Sequence, residues 1–391
     1  MLILGIDTSC DDTSASVVEE GRRILSNVVS GQELIHMKYG GIVPELASRR
    51  HIEMIWPVVD EALKSAGAGL RDISAVAVCH GPGLIGSLLV GCSFAKAVCY
   101  SMDIPLVAVN HLEGHIFSSF LNEGSDNSAD AIQMRAPEFP FISLIVSGGH
   151  TSLYRVEGFG SYRELGRSRD DAAGEAYDKV SKLLGLGYPG GPVLDRLSRE
   201  GDPDAIDFPR AYLPESLDFS FSGLKTAVVN YLKAVSNQQS AKQNAECRMQ
   251  NAEIKSKIQN PKSKIEYSEL RASNFGLRTT NSELRTPNYE LTCNIAASFQ
   301  AAVVDVLVRK TEWAVGKEGV KRVTLSGGVA ANSSLRNEFV RLGNEKGLDL
   351  FIPPATLCTD NAAMIASAGY HHLLNNDLAG MDLNPVAYLP L

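Results

Sequence analysis

A strand, a polar tip and a second strand open this chain and recur near its middle, and that internal echo restricts the folds open to it. The first copy runs Leu2 to Asp7, the tip Thr8-Ser9-Cys10-Asp11-Asp12-Thr13-Ser14, and Ala15 to Glu19. The second runs Phe141 to Val146, the tip Ser147-Gly148-Gly149-His150-Thr151, and Ser152 to Val156. Helical and strand patterns alternate after each. A helix is expected from Glu45 to Ser65, broken near Trp56-Pro57 because proline removes a helical hydrogen bond. It is followed by strand Ile73 to Cys79, helix Ile85 to Tyr100, strand Leu106 to Val109 and a helix starting near His111. In the second half, strand Arg322 to Leu325 runs into Ser326-Gly327-Gly328 and a helix, and Leu350 to Ile352 precedes Thr359-Asp360-Asn361 and a final long helix. An internally duplicated α/β protein with a ligand between two lobes follows from this order. The 391 residues exceed what one compact core usually holds.

Composition narrows the function classes. With 44% hydrophobic and 21% charged residues the chain reads as soluble and globular, and no apolar run is expected to reach the ~18 to 20 residues of a membrane span. The opening strand Leu2 to Ile6 lacks the basic region of a secretory signal, so a cytoplasmic protein without membrane partners is expected. Seven cysteines form no CxxC pair, which argues against a disulfide scaffold or a four-thiolate zinc site. A formal charge of −8 means that an RNA substrate would need a local basic patch or a partner. Arg22-Arg23, Arg49-Arg50 and Arg167 with Arg169 are candidate patches, each of which a solvated face explains equally well.

Residues 244 to 292 stand apart as seven consecutive seven-residue units such as Thr279-Thr280-Asn281-Ser282-Glu283-Leu284-Arg285. Leu recurs at 270, 277, 284 and 291, but a coiled coil needs two apolar positions per heptad, and Pro261 and Pro287 interrupt any helix. The segment reads as a tandem-repeat insertion joining the helices Ser222 to Val235 and Ile295 to Val315, with an ordered protein-binding arm as the alternative. Asn122 to Glu138 reads as a polar surface loop.

Several short motifs bear chemistry. Asn110-His111-Leu112-Glu113-Gly114-His115 places two imidazoles at i and i+4, on one helix face, where they can grip one metal ion. The same spacing occurs in metallopeptidases, where a glutamate directly after the first histidine serves as base. Leu112 occupies that position here, and Glu113 lies roughly 160° around the helix from the histidines, poorly aimed for the task. The tip at Gly148-Gly149 lets backbone amides approach a phosphate or carboxylate, unless the glycines merely serve a turn of positive φ. Leu325-Ser326-Gly327-Gly328-Val329-Ala330-Ala331-Asn332 offers a similar strand-to-helix turn, suited to the face of a nucleoside. Asp170 to Lys179 reads as a helix start with acidic residues in its first turn, and Tyr188-Pro189-Gly190-Gly191-Pro192 as a rigid turn before a helix carrying Asp195.

Together these stretches resemble the TsaD family, formerly the Gcp or O-sialoglycoprotein endopeptidase group. The resemblance rests on GIDTSCDDTS (5 to 14), HMKYGGIVPELASRRHIE (36 to 53), GPGLIGSLLVG (81 to 91), NHLEGH (110 to 115) and LIVSGGHT (144 to 151). It continues through DDAAGEAYDKVSKLLGLGYPGGP (170 to 192), FSFSGLKTAV (219 to 228), IAASFQ (295 to 300), LSGGVAANSSLR (325 to 336) and CTDNAAMIA (358 to 366). It implies an actin-like two-lobed fold, similar to Hsp70 and the sugar kinases, with a first lobe over 1–120 and a second over 121–391. The second lobe would carry the insertion at 244–292 and a C-terminal helix that can return to the first.

The activity the resemblance implies is metal-dependent transfer of threonylcarbamoyl from L-threonylcarbamoyladenylate to N6 of adenosine 37 in tRNAs reading codons that begin with A, with release of AMP. His111, His115 and Asp360 would hold one divalent metal per subunit, iron, with zinc as the alternative. Ile145, Val146, Ser147, Gly148 and Gly149 would contact substrate, and Asp178, Gly191, Asp195 and Asn332 would line a nucleotide pocket. Ser9, Asp11, Asp12 and His150 would fall nearby, Asp11 and Asp12 being the candidates for general base. A TsaB-type paralogue and a TsaE-type ATPase are the implied partners. A metallopeptidase and a non-catalytic nucleotide-binding subunit are the rival readings.

Overall fold

The computed structural model describes residues 1–123, 136–238 and 289–391. The repeat segment therefore lies outside the described residues except for 289–292, and the 122–138 loop except for its ends.

Two sheets share one topology. In the first, β1 (Leu2–Asp7), β2 (Thr13–Glu19) and β3 (Arg23–Ser30) form an antiparallel meander, and β4 (Ile73–Gly81) and β5 (Leu106–Asn110) add in parallel beside β1, giving the order β5-β4-β1-β2-β3 with the short β6 (Asn122–Glu123) at the edge. In the second, β7 (Phe141–Val146), β8 (Thr151–Gly158) and β9 (Ser161–Arg167) form the meander, and β10 (Arg322–Ser326) and β11 (Asp349–Phe351) add in parallel, giving β11-β10-β7-β8-β9. The duplication expected from the repeated hairpin is thus present strand for strand.

The central strands β1, β2, β4, β5, β7, β8 and β10 are largely buried on both faces, and their period of two sorts side chains between layers. In β4, Val76 and Val78 join Leu4 and Ile6 beneath α2 (Pro44–Ser65) and α3 (Ile85–Met102), while Ala75, Ala77 and Cys79 face the opposite way. That opposite face packs on α4 (His111–Phe117) and on α11 (Ala362–Leu374), through Leu112, Ile116, Met364 and Ile365. Phe141 and Ile145 of β7 pack into the same cluster, so α4 and α11 form a layer between the two sheets. Ile142, Leu144 and Val146 point the other way, toward α5 (Ala173–Leu183), α6 (Gly190–Ser198), α8 (Tyr289–Glu318) and α9 (Ser333–Lys346). The short helices α1 (Glu33–His36) and α10 (Ala355–Cys358) and a helix α7 over residues 222–238 complete the described helices.

Three expectations need correction. Helix α2 does not break at Trp56-Pro57; Pro57 sits inside it, exposed, while Ile55, Val58, Val59, Ala62 and Leu63 bury one continuous stripe that holds both halves on the sheet. Helix α5 begins at Ala173, three residues later than Asp170, because the Asp170 carboxylate is already used by the loop before α7. It accepts from Ser220 Oγ (2.6 Å), Ser222 Oγ (2.8 Å) and Phe221 N (2.8 Å). Finally, α3 and α8 are long and apolar enough to cross a membrane by length and composition alone. Packing accounts for the apolarity of α8, since 78% of its most apolar window is buried inside the molecule; α3 lies against the first sheet with 39% of its window buried.

Candidate functional site

The two helices of the middle layer begin at the same end of the molecule, and candidate metal ligands lie at or just before the start of each. Strand β5 ends at Asn110, whose side chain caps α4 by accepting from Leu112 N at 2.8 Å, so the helix starts with His111 pointing into the cleft. Asn361 caps α11 in the same way from Met364 N at 3.2 Å, placing Asp360 one residue before that helix. The result is a cluster in which His111 Nε2 lies 3.5 Å and His115 Nε2 3.3 Å from Asp360 Oδ1. The candidate ligand atoms all lie within 4.8 Å of one another.

The donor set fits a divalent cation. His115 is fully buried, and neither of its ring nitrogens has a hydrogen-bond partner. Buried polar groups left so are costly unless something else coordinates them. Burial holds the His115 imidazole below its ordinary range, in the neutral form a metal needs. Burial also opposes charge on His111, but Asp360 and Asp7 outweigh it and hold that imidazole well above its usual range. A cation between His111 and Asp360 would take the place of that proton.

Asp7, the last residue of β1, is a site residue that sequence reasoning missed. Its Oδ2 is buried, has no hydrogen-bond partner, and lies 3.5 Å from His111 Nδ1. Its Oδ1 accepts from Ser9 N at 2.9 Å, which ties the polar tip to the carboxylate. A carboxylate behind a metal-binding histidine fixes the ring orientation and leaves the other nitrogen free for the cation. Asp7 lies inside the GIDTSCDDTS stretch, where its one distinguishing local feature is its place at the end of an otherwise apolar strand. Cys79 completes an alternative cluster with Asp7 and His111.

The β1–β2 tip lies close by. Burial and the neighbouring carboxylates of Asp11, Asp360, Asp7 and Glu33 push the Asp12 carboxyl up to about 7. The Asp11 carboxyl is also raised, chiefly by burial, and Asp178 from α5 in the second lobe is raised by burial with Asp11 among its neighbours. Asp178 Oδ1 accepts from Gly190 N at 2.7 Å, locking α5 to the start of α6. Cys10, His36, His51 and Tyr188 surround these carboxylates and were not singled out from sequence. His36 Nε2 is likewise buried without a partner.

The β7–β8 tip lies near the candidate metal ligands, since the charges of His111, His115 and Asp360 all act on its His150. Its Ser147 N donates to His150 O (2.8 Å), closing the turn, and Ser147 O accepts from Gly174 N (3.2 Å). Neither Gly148 nor Gly149 adopts a positive φ, and a Cβ at either would meet nothing within 4 Å. The turn itself therefore does not demand glycine. What glycine provides is open space on the cleft side, as it also does at Gly191. Burial, then His111 and His115, hold the His150 imidazole down to about 4, which puts a neutral ring beside the metal cluster. Ile145 and Val146 are fully buried where β7 ends, and Ser147 with the two glycines continues the backbone into the tip.

Asp195 and Asn332 meet in one network. Asp195 Oδ1 accepts from Ser333 Oγ (2.8 Å) and Gln300 Nε2 (3.3 Å), and Gln300 Oε1 accepts from Asn332 Nδ2 (2.7 Å). Asn332 Oδ1 caps α9 through Leu335 N at 2.9 Å, and Asp195 Oδ2 pairs with Arg199 at 2.7 Å. Gln300 is the hub; it ends the IAASFQ stretch but was not singled out as a site residue, since a glutamine within a long apolar helix carries no chemical signal of its own.

Glu113 points away from the metal cluster. Its carboxylate accepts from Tyr162 Oη at 2.5 Å and pairs with His372 Nε2 at 2.8 Å, which removes it as the base of a peptidase.

Comparison with known proteins places this geometry in context. The model of the family "tRNA N6-adenosine threonylcarbamoyltransferase" (TsaD) matches residues 23–367. A protein of that name from Thermodesulfovibrio yellowstonii is 52% identical over 100% of both chains. Another from Geotalea uraniireducens is 48% identical over 100% of this chain and 97% of its own. Among solved structures, full-length HypF in its phosphate- and nucleotide-bound form superposes with a TM-score of 0.50 at 12% identity, over 95% of this chain and 46% of that one, a likeness of actin-like fold only.

Proposed function

The chain belongs to the TsaD family of tRNA N6-adenosine threonylcarbamoyltransferases, and from that premise we propose that it transfers threonylcarbamoyl from L-threonylcarbamoyladenylate to N6 of adenosine 37 in tRNAs reading codons that begin with A. A bond forms between N6 and the carbamoyl carbon, and that carbon's bond to the phosphate oxygen breaks. AMP departs with the electron pair, and N6 gives up one proton. The observation that carries the reading is the convergence of His111, His115 and Asp360 on the open glycine tip, in a chain matched along its length by this family.

The lone pair of the adenine amine is delocalised into its ring, so the site must chiefly position and polarise the electrophile. A divalent cation held by His111, His115 and Asp360 would supply Lewis-acid charge there; we assign iron, with zinc as the alternative. Ser147, Gly148 and Gly149 leave room for an anion to approach the tip, where backbone amides would stabilise the charge gathering on the AMP phosphate. Asp178, Gly191, Asp195 and Asn332 would line the side of the site where the adenylate lies. Of the two carboxylates held as general-base candidates, Asp12 suits the N6 proton better, because a base is most effective when its pKa lies near working pH.

With a formal charge of −8 the chain is expected to work with a TsaB-type paralogue and a TsaE-type ATPase in the cytoplasm, where tRNA is modified. Reconstitution tests the proposal: metal-loaded protein, both partners, a TsaC-type synthase, threonine, bicarbonate, ATP and unmodified tRNA. Mass spectrometry of the tRNA digest should show threonylcarbamoyladenosine. Its absence with folded, metal-loaded protein would sink the reading.

A further inference from the structure

We infer that Glu113 is the positioning residue that sets the geometry of the metal ligands, by pinning the helix that carries His111 and His115 to the helix that follows Asp360 and to the second sheet. The inference rests on the metal reading above. Glu113 lies between the two histidines on α4, is 4% exposed, and directs both carboxylate oxygens to other elements. One oxygen takes the Tyr162 hydroxyl of β9 (2.5 Å) and the other meets Nε2 of His372 on α11 (2.8 Å).

The second nitrogen of His372 faces Asp377 Oδ2 at 2.7 Å, so carboxylates flank the ring on both sides and the imidazolium form satisfies both. A carboxylate bonded to an imidazolium and a phenol is stronger and more directional than a neutral contact. A separate contact on α4 completes the clamp. A Cβ on Gly114 would approach Ile365 Cδ1 to 2.9 Å and Met364 Cγ to 3.1 Å, so α4 and α11 touch closely near the start of α11. The Glu113–His372 pair ties them again near its end, and the Tyr162 bond prevents α4 from pivoting between those points.

Phe159, at the β8–β9 turn, stacks on His371 with centroids 3.7 Å apart, so the whole hairpin end lies down on α11. His111 and His115 share α4, whereas Asp360 lies far along the chain, just before α11. Their spacing therefore depends on how α4 and α11 are held.

The test is metal binding by purified full-length protein at a temperature well below its melting point. Apo wild type, E113A, Y162F and H372N are titrated with Co²⁺, reading affinity and the ligand-field spectrum, with circular dichroism as the check on folding. Loss of a group that orients metal ligands commonly weakens binding by about 10- to 100-fold. E113A is expected to bind Co²⁺ at least ~10-fold more weakly with an altered spectrum, and Y162F and H372N to fall between it and wild type. Folded E113A with wild-type affinity and spectrum overturns the inference. Should E113A not fold, unchanged affinity and spectrum in both Y162F and H372N overturn it equally. Wild type that takes up no Co²⁺ counts instead against the metal site itself.

Discussion

Asp12 illustrates how one residue's surroundings set its chemistry. The dipeptide Asp11-Asp12 in a hydroxyl-rich tip looks like solvent-exposed turn chemistry, yet burial and four neighbouring carboxylates raise the Asp12 carboxyl to about 7. Raising a carboxyl's folded pKa above its unfolded value makes protonation favour folding, so that stabilisation is present at acid pH and lost as pH rises through about 7. The D12N variant is therefore expected to melt at higher temperature than wild type at pH 8 and to lose that advantage near pH 5. The same change should reduce transfer about 100-fold or more, and wild-type single-turnover rates should rise with pH through about 7. An activity of D12N equal to wild type would remove Asp12 as the proton acceptor. Asp7 and Gln300 were illegible for a related reason: a carboxylate ending a strand and an amide within a helix acquire meaning only from the partners the fold delivers.

At the scale of elements, most of what the sequence suggested was carried by periodicity, and the failures occurred where a tertiary contact outweighed a local rule. Proline argued for a break at Trp56-Pro57, but the buried stripe of α2 runs straight through it. Pro57 is exposed and lacks the N–H that a helix interior uses, so P57A should stabilise the protein, by about 1 to 3 kcal/mol, in a denaturant melt. Helix α8 makes the opposite case. Its Lys310 is fully buried, with Nζ donating to the carbonyls of Tyr212, Leu213 and Ser216, and burial lowers the ammonium's pKa. K310M keeps the apolar stem but strands those carbonyls, and should cost about 3 kcal/mol on thermal or chemical unfolding. No pattern announced that residue, because a single lysine near the end of a long helix is ordinarily solvated.

At the scale of the molecule, the middle layer of α4 and α11 joins the sheets, and its charged pin should make stability pH-dependent. Glu113 and Asp377 raise His372 to about 9. Since its folded pKa lies above the unfolded value, the contribution is complete below about pH 6.5 and disappears as pH climbs through about 9. Between those limits wild type should lose on the order of 2 kcal/mol, and H372Q should show a flatter profile; parallel profiles would exclude the pin as the source. Metal loading should stabilise wild type as well, since the ligands converge only in the folded state.

The amino-acid sequence by itself determined the duplicated α/β plan, the positions of most strands and helices, and the helical pairing of His111 with His115, because these follow from local periodicity and turn chemistry. Tertiary structure decided the rest. It brought Asp360 to the histidines and Asp7 behind His111, turned Glu113 outward to Tyr162 and His372, and raised Asp12 by enclosing it with other acids. Those outcomes depend on burial and on charges far apart in the chain, and neither quantity exists until the two sheets close on the helices between them.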